Sequence, residues 1–310
     1  MHGMQRIVIA ITLLSFLFSA VHAANNTTEE RRKANFPHTD IFIFELTLTD
    51  NHASIANPQN VTNRLGYDNQ PFFTPDSQSF IYSRGDDYQT DAYEYNFKTQ
   101  ESRQLTHSSA TEFSPTPVYD NTSLLFVSDR NGSVWQGERA LLNQPNWFLS
   151  ASDNREPIGY FALNENTNDF LYWSRYGFSM ALVNKSDNSY HYVAGNTPPA
   201  TPHVIPKTNL FSFVQRQMNQ QVWIKSLDPK TKAITPLIAI NGANHNYTWT
   251  PAQSILMIQN NILYQAKPFD QQAWSEIATL TEHGITNANR LAVSPDGNRL
   301  AVVGVASNQQ

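Results

Sequence analysis

The sequence predicts an all-β fold, a six-bladed β-propeller of four-stranded antiparallel blades, and three observations predict it. Short β-branched and aromatic runs bounded by Asn, Asp, Ser and Pro fill the chain, and no long amphipathic helix interrupts them. A turn followed by an apolar strand recurs at Pro75, Tyr119, Leu163, Pro206, Pro251 and Pro295, in steps of 44, 44, 43, 45 and 44. A second series at Val61, Leu105, Leu149, Val193, Leu237 and Leu280, marking the last strand of each unit, steps by 44, 44, 44, 44 and 43. A constant period of this size with about four short strands per unit is the signature of propeller blades, because one four-stranded sheet cannot cover its own apolar faces.

The turn copies are clearest in Thr74-Pro75-Asp76-Ser77-Gln78-Ser79-Phe80-Ile81-Tyr82-Ser83 and in Val293-Ser294-Pro295-Asp296-Gly297-Asn298-Arg299-Leu300-Ala301-Val302. The strands they introduce are predicted at Phe80–Tyr82, Leu124–Val127, Phe170–Trp173, Leu210–Val214, Ile255–Ile258 and Leu300–Val303. The last turn has no third or fourth strand after it, while Asp40–Thr49 and the segment around Val61 precede the first unit without partners. The amino-terminal pair is therefore expected to complete the carboxy-terminal blade and leave no open edge.

Ahead of the propeller, assigned to residues 40–306, two segments stand apart. Residues 1–23 carry one cation, Arg6, an apolar run from Ile7 to Phe18 and a small-residue end at Val21-His22-Ala23, the pattern of a cleaved secretory signal peptide. The apolar run is too short for a spanning helix, which needs about 20 residues, so no transmembrane segment is expected after cleavage. Residues 24–39 are polar and charged and read as a flexible leader. The chain is thus expected to be periplasmic or secreted.

Without the signal segment the chain holds 20 basic and 26 acidic residues, a net charge of −6, which speaks against nucleic acid as a partner. There is no Cys, which excludes disulfides, thiolate metal sites and a cysteine nucleophile. A serine hydrolase of the α/β type is excluded as well, since no Gly-x-Ser-x-Gly elbow is present and no residues remain for a second domain.

Pro71-Phe72-Phe73-Thr74-Pro75-Asp76, Phe80-Ile81-Tyr82-Ser83-Arg84-Gly85, Leu105-Thr106, Ser128-Asp129-Arg130-Asn131-Gly132 and Leu291-Ala292-Val293-Ser294-Pro295-Asp296-Gly297 resemble the Pro-Asp-Gly, WD-like repeats of the TolB-like periplasmic β-propeller family. The resemblance spans Asp40 to Val305. TolB itself has an α/β domain before its propeller, and here only the polar leader separates signal and first strand. The resemblance therefore implies a stand-alone periplasmic propeller that works as a protein-interaction or scaffold module, a monomer without cofactor or metal, its partner another envelope protein. The competing expectation is a propeller-fold polysaccharide lyase or glycoside hydrolase, or a sensor of a small ligand.

In a four-stranded blade the inter-blade loops and the loops joining second and third strands emerge on one face, which is the expected binding surface. The inter-blade positions are Asp68, Asn69, Glu112, Tyr160, His203, His245 and Asn287, and the second set is Arg84, Asp86, Arg130, Arg175 and Arg216. The recurring arginines suit bidentate capture of carboxylates, or else pairing with neighbouring loop acids. His203, His245, Asp68 and Glu112 occupy corresponding loops, where a lyase would hold a divalent metal, but no local His-x-x-x-His or carboxylate-rich motif supports one. Arg84-Gly85-Asp86 and the acidic run from Asp86 to Asp91 read as a hairpin turn rather than an adhesion tripeptide or a calcium loop. Most of the six Trp fall within strands and are expected to pack between blades; Trp249, close to His245 and Tyr247, is the candidate for ligand contact.

Overall fold

A twisted four-stranded sheet with apolar residues on both faces needs a neighbour on each side, and a ring of such sheets supplies both. The computed structural model of the chain describes residues 36–49, 52–118, 120–129, 131–140, 145–149 and 156–307 and forms that ring with six sheets. Two strands come first, β1 (Asp40–Leu48) and β2 (Ala53–Asn60). Blade 1 is β3 (Tyr67–Phe73), β4 (Ser79–Gly85), β5 (Thr90–Asn96) and β6 (Glu101–Gln104), and blade 2 is β7 (Glu112–Pro117), β8 (Ser123–Ser128), β9 (Val134–Glu138) and β10 (Asn146–Leu149). Blade 3 runs β11 (Ile158–Asn164), β12 (Asp169–Ser174), β13 (Ser179–Asn184) and β14 (Tyr190–Ala194), and blade 4 runs β15 (His203–Val204), β16 (Phe211–Arg216), β17 (Val222–Leu227) and β18 (Ile234–Ile240). Blade 5 is β19 (Tyr247–Trp249), β20 (Ile255–Gln259), β21 (Ile262–Lys267) and β22 (Gln271–Thr279), followed by a single 3₁₀ turn at Leu280–His283. Among the described residues no helix is long and apolar enough to cross a membrane.

Blade 6 is made from both ends of the chain. Its order is β23 (Ile285–Val293), β24 (Arg299–Ala306), β1 and β2, with β1 pairing antiparallel to β24 from Asp40 opposite Gly304 to Glu45 opposite Arg299. The expected closure is present. The outer strand β2 lies just before Val61 rather than around it, and it contains Pro58, which a solvent-side edge strand tolerates because it need not donate outward.

Apolar side chains gather in six clusters, each lying between two neighbouring blades. Phe44, Leu46, Leu300 and Val302 of blade 6 meet Leu256, Ile258 and Leu263 of blade 5, while Ile41, Ile43, Ala301 and Val303 on the opposite face meet Phe80 and Tyr82 of blade 1. Blade 6 shows both faces of β1 and β24 used at once. The junction of blades 1 and 2 has the smallest cluster, Ile81, Ala92, Leu105, Leu124 and Phe126, with Trp135 packed on it.

The Pro-Asp turns have the geometry their residues imply. Thr74 and Ser294 each donate a hydroxyl hydrogen bond to the Asp two residues on, Asp76 at 2.6 Å and Asp296 at 2.5 Å, and the Ser77 and Gly297 amides close the turns onto the Thr74 and Ser294 carbonyls at 2.8 Å. Gly297 has φ +75°, where glycine carries no steric penalty. The two turns also bond to each other, the Asp296 amide donating to Ser77 Oγ at 3.1 Å and Arg299 Nη1 to the Ser77 carbonyl at 3.2 Å.

The signal segment and most of the leader lie outside the described residues. The end of the leader, residues 36–39, packs against blade 1: the Phe36 ring lies 5.2 Å from Tyr67, His38 Nδ1 accepts from the Gly66 amide at 3.0 Å, and Thr39 bridges Tyr67. An aromatic at the end of a polar stretch has a sheet edge to pack on once the clasp strand behind it is in place.

Phe44 is fully buried in the clasp. Phe44→Ala is expected to lower unfolding stability by about 3–5 kcal/mol through lost burial and the cavity left behind, whereas Tyr176→Ala, at a side chain 75% exposed, changes it by less than about 0.5 kcal/mol. Urea denaturation of the two variants checks the contrast.

Candidate functional site

The first strand of each blade lines the central channel, and in four successive blades, 6, 1, 2 and 3, that strand carries a bulge, the one in β11 falling between Ile158 and Tyr160. The ladder slips between Asn69 and Phe72 in β3, between Phe113 and Thr116 in β7 and between Thr286 and Arg290 in β23. Gln70, Ser114 and Asn287 stand at these slips with φ of 56°, 53° and 50°. Bulges re-aim side chains, and here they bind neighbouring blades together. Gln70 Oε1 accepts from the Ser83 hydroxyl and from the Ser114 amide of the next blade, both at 2.8 Å.

Beyond the bulges the channel widens into a cavity of about 740 Å³. Its rim includes Pro75, Val118, Pro206, Pro251 and Pro295, so it opens on the face formed by the turns between first and second strands. That face is opposite the inter-blade loops, because successive antiparallel strands place their connections at alternate ends. Phe72, Phe161, Leu163, Val204, Trp249 and Leu291 make the walls largely apolar.

The floor is polar and crosses the channel. Arg290 of blade 6 reaches Tyr160 of blade 3, the directly opposed blade, donating from Nη2 to the phenol oxygen at 3.2 Å with its guanidinium carbon 5.2 Å from the ring centroid. No described residue forms an ion pair with Arg290, which lines the cavity. Burial pushes the Tyr67 phenol up to about 12 despite the nearby Arg290 charge. Burial likewise pulls His203 down to about 4, a direction the Arg290 charge reinforces. His203 Nε2 has no hydrogen-bond partner, and the ring packs edge-on against Tyr247, 4.7 Å between centroids.

Three polar side chains of the lining bond to the protein itself. Tyr247 Oη and Trp249 Nε1 both donate to Ser212 Oγ at 2.8 Å, and the Asn246 amide nitrogen donates to Asn244 Oδ1 and to the Asn289 carbonyl, both at 3.0 Å. Trp249 also stacks on Phe269 at 5.9 Å. The cavity therefore presents largely apolar walls, with Arg290 on its floor and Lys207 in a turn at its mouth.

The predicted site residues separate around this floor. His203 and Trp249 line the cavity, and Tyr160 holds Arg290. Asp68, Asn69 and Glu112 are buried at the inter-blade end of the channel, within β3 and β7 rather than in loops. His245 lies in the loop before β19, half-buried, its pKa lowered by burial and then by the Arg216 charge. Arg84 stacks over the Tyr93 ring at 4.8 Å, Arg175 is exposed in the turn after β12, and Arg216 ends β16. None of these three arginines forms an ion pair with a described residue, and Arg130 lies outside the described residues. Among the described residues no three His, Asp or Glu side chains converge as metal ligands would.

Arg290 is the residue that sequence reasoning missed. A signal exists: Gln70, Ser114, Asn246 and Arg290 each stand five positions before the residue that opens the turn, at 75, 119, 251 and 295, and all four line the cavity. A polar layer in otherwise apolar inner strands marks the channel.

Asp68 and Glu112 are anomalous carboxylates. Asp68 accepts from Arg64 Nε at 3.2 Å and Nη2 at 3.0 Å, yet burial outweighs that ion pair and lifts it to about 6. Glu112 accepts from Ser108 Oγ at 2.7 Å, its Oε2 has no partner, and burial raises it to about 7.

No family model matches the chain, and no curated protein matches it. Solved structures do share its fold. TolB from Acinetobacter baumannii superposes with a TM-score of 0.57 at 13% identity over 88% of this chain, and the chain spans 65% of that structure's length. A protein assigned as TolB from Agrobacterium tumefaciens matches with a TM-score of 0.65 at 11% identity, covering 86% of this chain and 98% of its own. A gluconolactonase from Xanthomonas campestris matches with a TM-score of 0.61 at 8% identity over 87% and 97%. At these identities the likeness is one of fold.

Glu112 ionises near 4.5 in the unfolded chain and near 7 in the folded one. Between those values the native state keeps a proton that the unfolded state has lost, so stability falls as the pH rises through that window. Glu112→Gln is expected to flatten this fall and to stabilise the protein at pH 8 by on the order of 2–3 kcal/mol. Denaturant midpoints from pH 4.5 to 8 check it; parallel curves for the two proteins would contradict the burial of a protonated Glu112.

Proposed function

We propose that the protein is an exported envelope binding module, similar in kind to the TolB-like propellers, that takes a ligand in the open half of its central channel. The observation that carries this reading is the 740 Å³ cavity with apolar walls and a closed polar floor. Its volume falls in the range of about 300–1,000 Å³ that holds small organic ligands, and its mixture of apolar wall with a few oriented polar groups is that of a binding pocket. The sequence supports export through residues 1–23.

A protein partner on the inter-blade-loop face is the second reading. It is favoured by Arg84, Arg175 and Arg216, which stand at the same end of their blades without an ion pair among the described residues and offer bidentate donors to an acidic surface. The two readings use opposite ends of one channel, so each can be removed without the other.

N-phenyl-1-naphthylamine, a neutral probe that fluoresces in apolar surroundings, is expected to bind the wild type saturably at one site. Val204→Trp, which fills the cavity wall, is expected to reduce that binding at least tenfold. Absence of saturable binding to the wild type overturns the channel reading. For the second face, the Arg84, Arg175 and Arg216 triple Ala variant is expected to lose an envelope protein that the wild type captures while keeping probe affinity; equal capture by both proteins sinks it.

A further inference from the structure

Arg290 sits in a setting that makes it a ligand group. The structure gives its guanidinium, which has five N–H donors, one hydrogen-bond acceptor, the Tyr160 phenol oxygen, and a stacking contact with that ring. A cation removed from water without a counter-charge is costly, and a residue of this kind is expected either to be paired or to await a partner. The nearby phenol of Tyr67 and imidazole of His203 are uncharged and supply none. The acid in the cavity lining, Glu165, belongs to the turn at the mouth and forms no ion pair with Arg290.

The rest of the pocket narrows the chemistry of that partner. Tyr247, Trp249 and Asn246 spend their donors on Ser212, Asn244 and Asn289, which leaves Arg290 as the charged donor between them. One guanidinium matches one monoanion. A phosphate dianion calls for more positive charge, and the other cation of the lining, Lys207, stands in a turn at the mouth. Proline, phenylalanine and leucine side chains above the floor favour a hydrocarbon body.

We propose that the channel takes a small apolar monocarboxylate, its carboxylate paired bidentately with Arg290 and its hydrocarbon body lying along the walls toward the turn face. This assignment rests on the channel-binding reading. It adds the charge, the polarity and the orientation of the ligand: head group at the floor, tail at the mouth. Tyr160 is then a positioning residue, holding one edge of the guanidinium so that the remaining donors face the cavity.

The test compares octanoate with octanamide, which has the same chain and no charge, by calorimetric titration of the full chain. Charge-assisted hydrogen bonds contribute about 1.5–3 kcal/mol, which corresponds to roughly a 10- to 150-fold preference for the acid over the amide in the wild type. Arg290→Met is expected to bind the two ligands within about threefold of each other. Because Met replaces a cation with no counter-ion, this variant is expected to melt no lower than the wild type, which separates a lost contact from a lost fold. Equal binding of acid and amide by the wild type, or an undiminished preference in Arg290→Met, overturns the proposal. If octanoate fails while N-phenyl-1-naphthylamine still binds, the carboxylate assignment falls and the channel reading stands. If the neutral probe fails too, both fall.

Discussion

Every sheet in this molecule has two apolar faces, and the structure depends on giving each face a neighbour. Five blades do this from contiguous chain; the sixth borrows β1 and β2 from the other end. The pairing of Asp40–Glu45 with Arg299–Gly304 joins segments more than 250 residues apart. Such closure comes late in folding, because the loop entropy is lost before the contact is gained. The reward is that two blade junctions form together: Phe44 and Leu46 fill the one toward blade 5, Ile41 and Ile43 the one toward blade 1. The site inherits this dependence. Arg290 lies on β23 of the clasped blade and meets Tyr160 on the blade opposite, so the floor of the cavity exists only in a closed ring.

The ring was legible because its strands repeat in both hydrophobicity and spacing. Second strands, buried on both faces, read as continuous apolar runs such as Phe170–Trp173 and Ile255–Ile258, and the observed β12 and β20 contain them. The first strands were less legible. β15 is two residues long, and β3 contains Asp68, Asn69 and Gln70, because one side of an inner strand faces a channel and its ladder is interrupted by bulges. That is why Asp68, Asn69 and Glu112 read as loop residues and emerged as buried members of strands. The floor could not be read pairwise, since Arg290 and Tyr160 are 130 positions apart and nothing local links them. Their common trait is positional, a polar residue at a fixed distance from the turn, and it has meaning only after the ring is assembled.

The junction of blades 1 and 2 is held differently from the other five. Its apolar cluster is the smallest, and polar contacts add to it: Asn121 on Asp76 at 2.7 Å, the Gln70 bridge to the Ser114 amide, and the Thr90 hydroxyl on the Glu112 carbonyl. Glu94 is buried and also lies 4.0 Å from Arg139 of blade 2. Buried polar junctions hold only while their members are satisfied and correctly charged, whereas an apolar junction is indifferent to pH. The raised Glu112 belongs to this junction. Through Glu112, this seam is coupled to the pH of the solution.

Two partly buried arginines in the same molecule show what distinguishes a structural cation from one kept open. Arg64 is held by one carboxylate and three carbonyls: Nε and Nη2 on Asp68 at 3.2 and 3.0 Å, Nη2 also on the Tyr67 and Gly85 carbonyls at 3.1 and 2.8 Å, and Nη1 on the Leu65 carbonyl at 2.8 Å. It ties the segment between β2 and β3 to blade 1, its charge answered by Asp68. Arg290 makes one hydrogen bond to a neutral phenol and stacks on its ring. If its purpose were to brace blade 6 against blade 3, a carboxylate opposite would do so more strongly, and an apolar pair would do so without desolvating a charge. The phenol does neither. A tyrosine holds the guanidinium by one edge and its π face while leaving its charge whole, and that combination is useful only if the charge is meant for something that enters the channel.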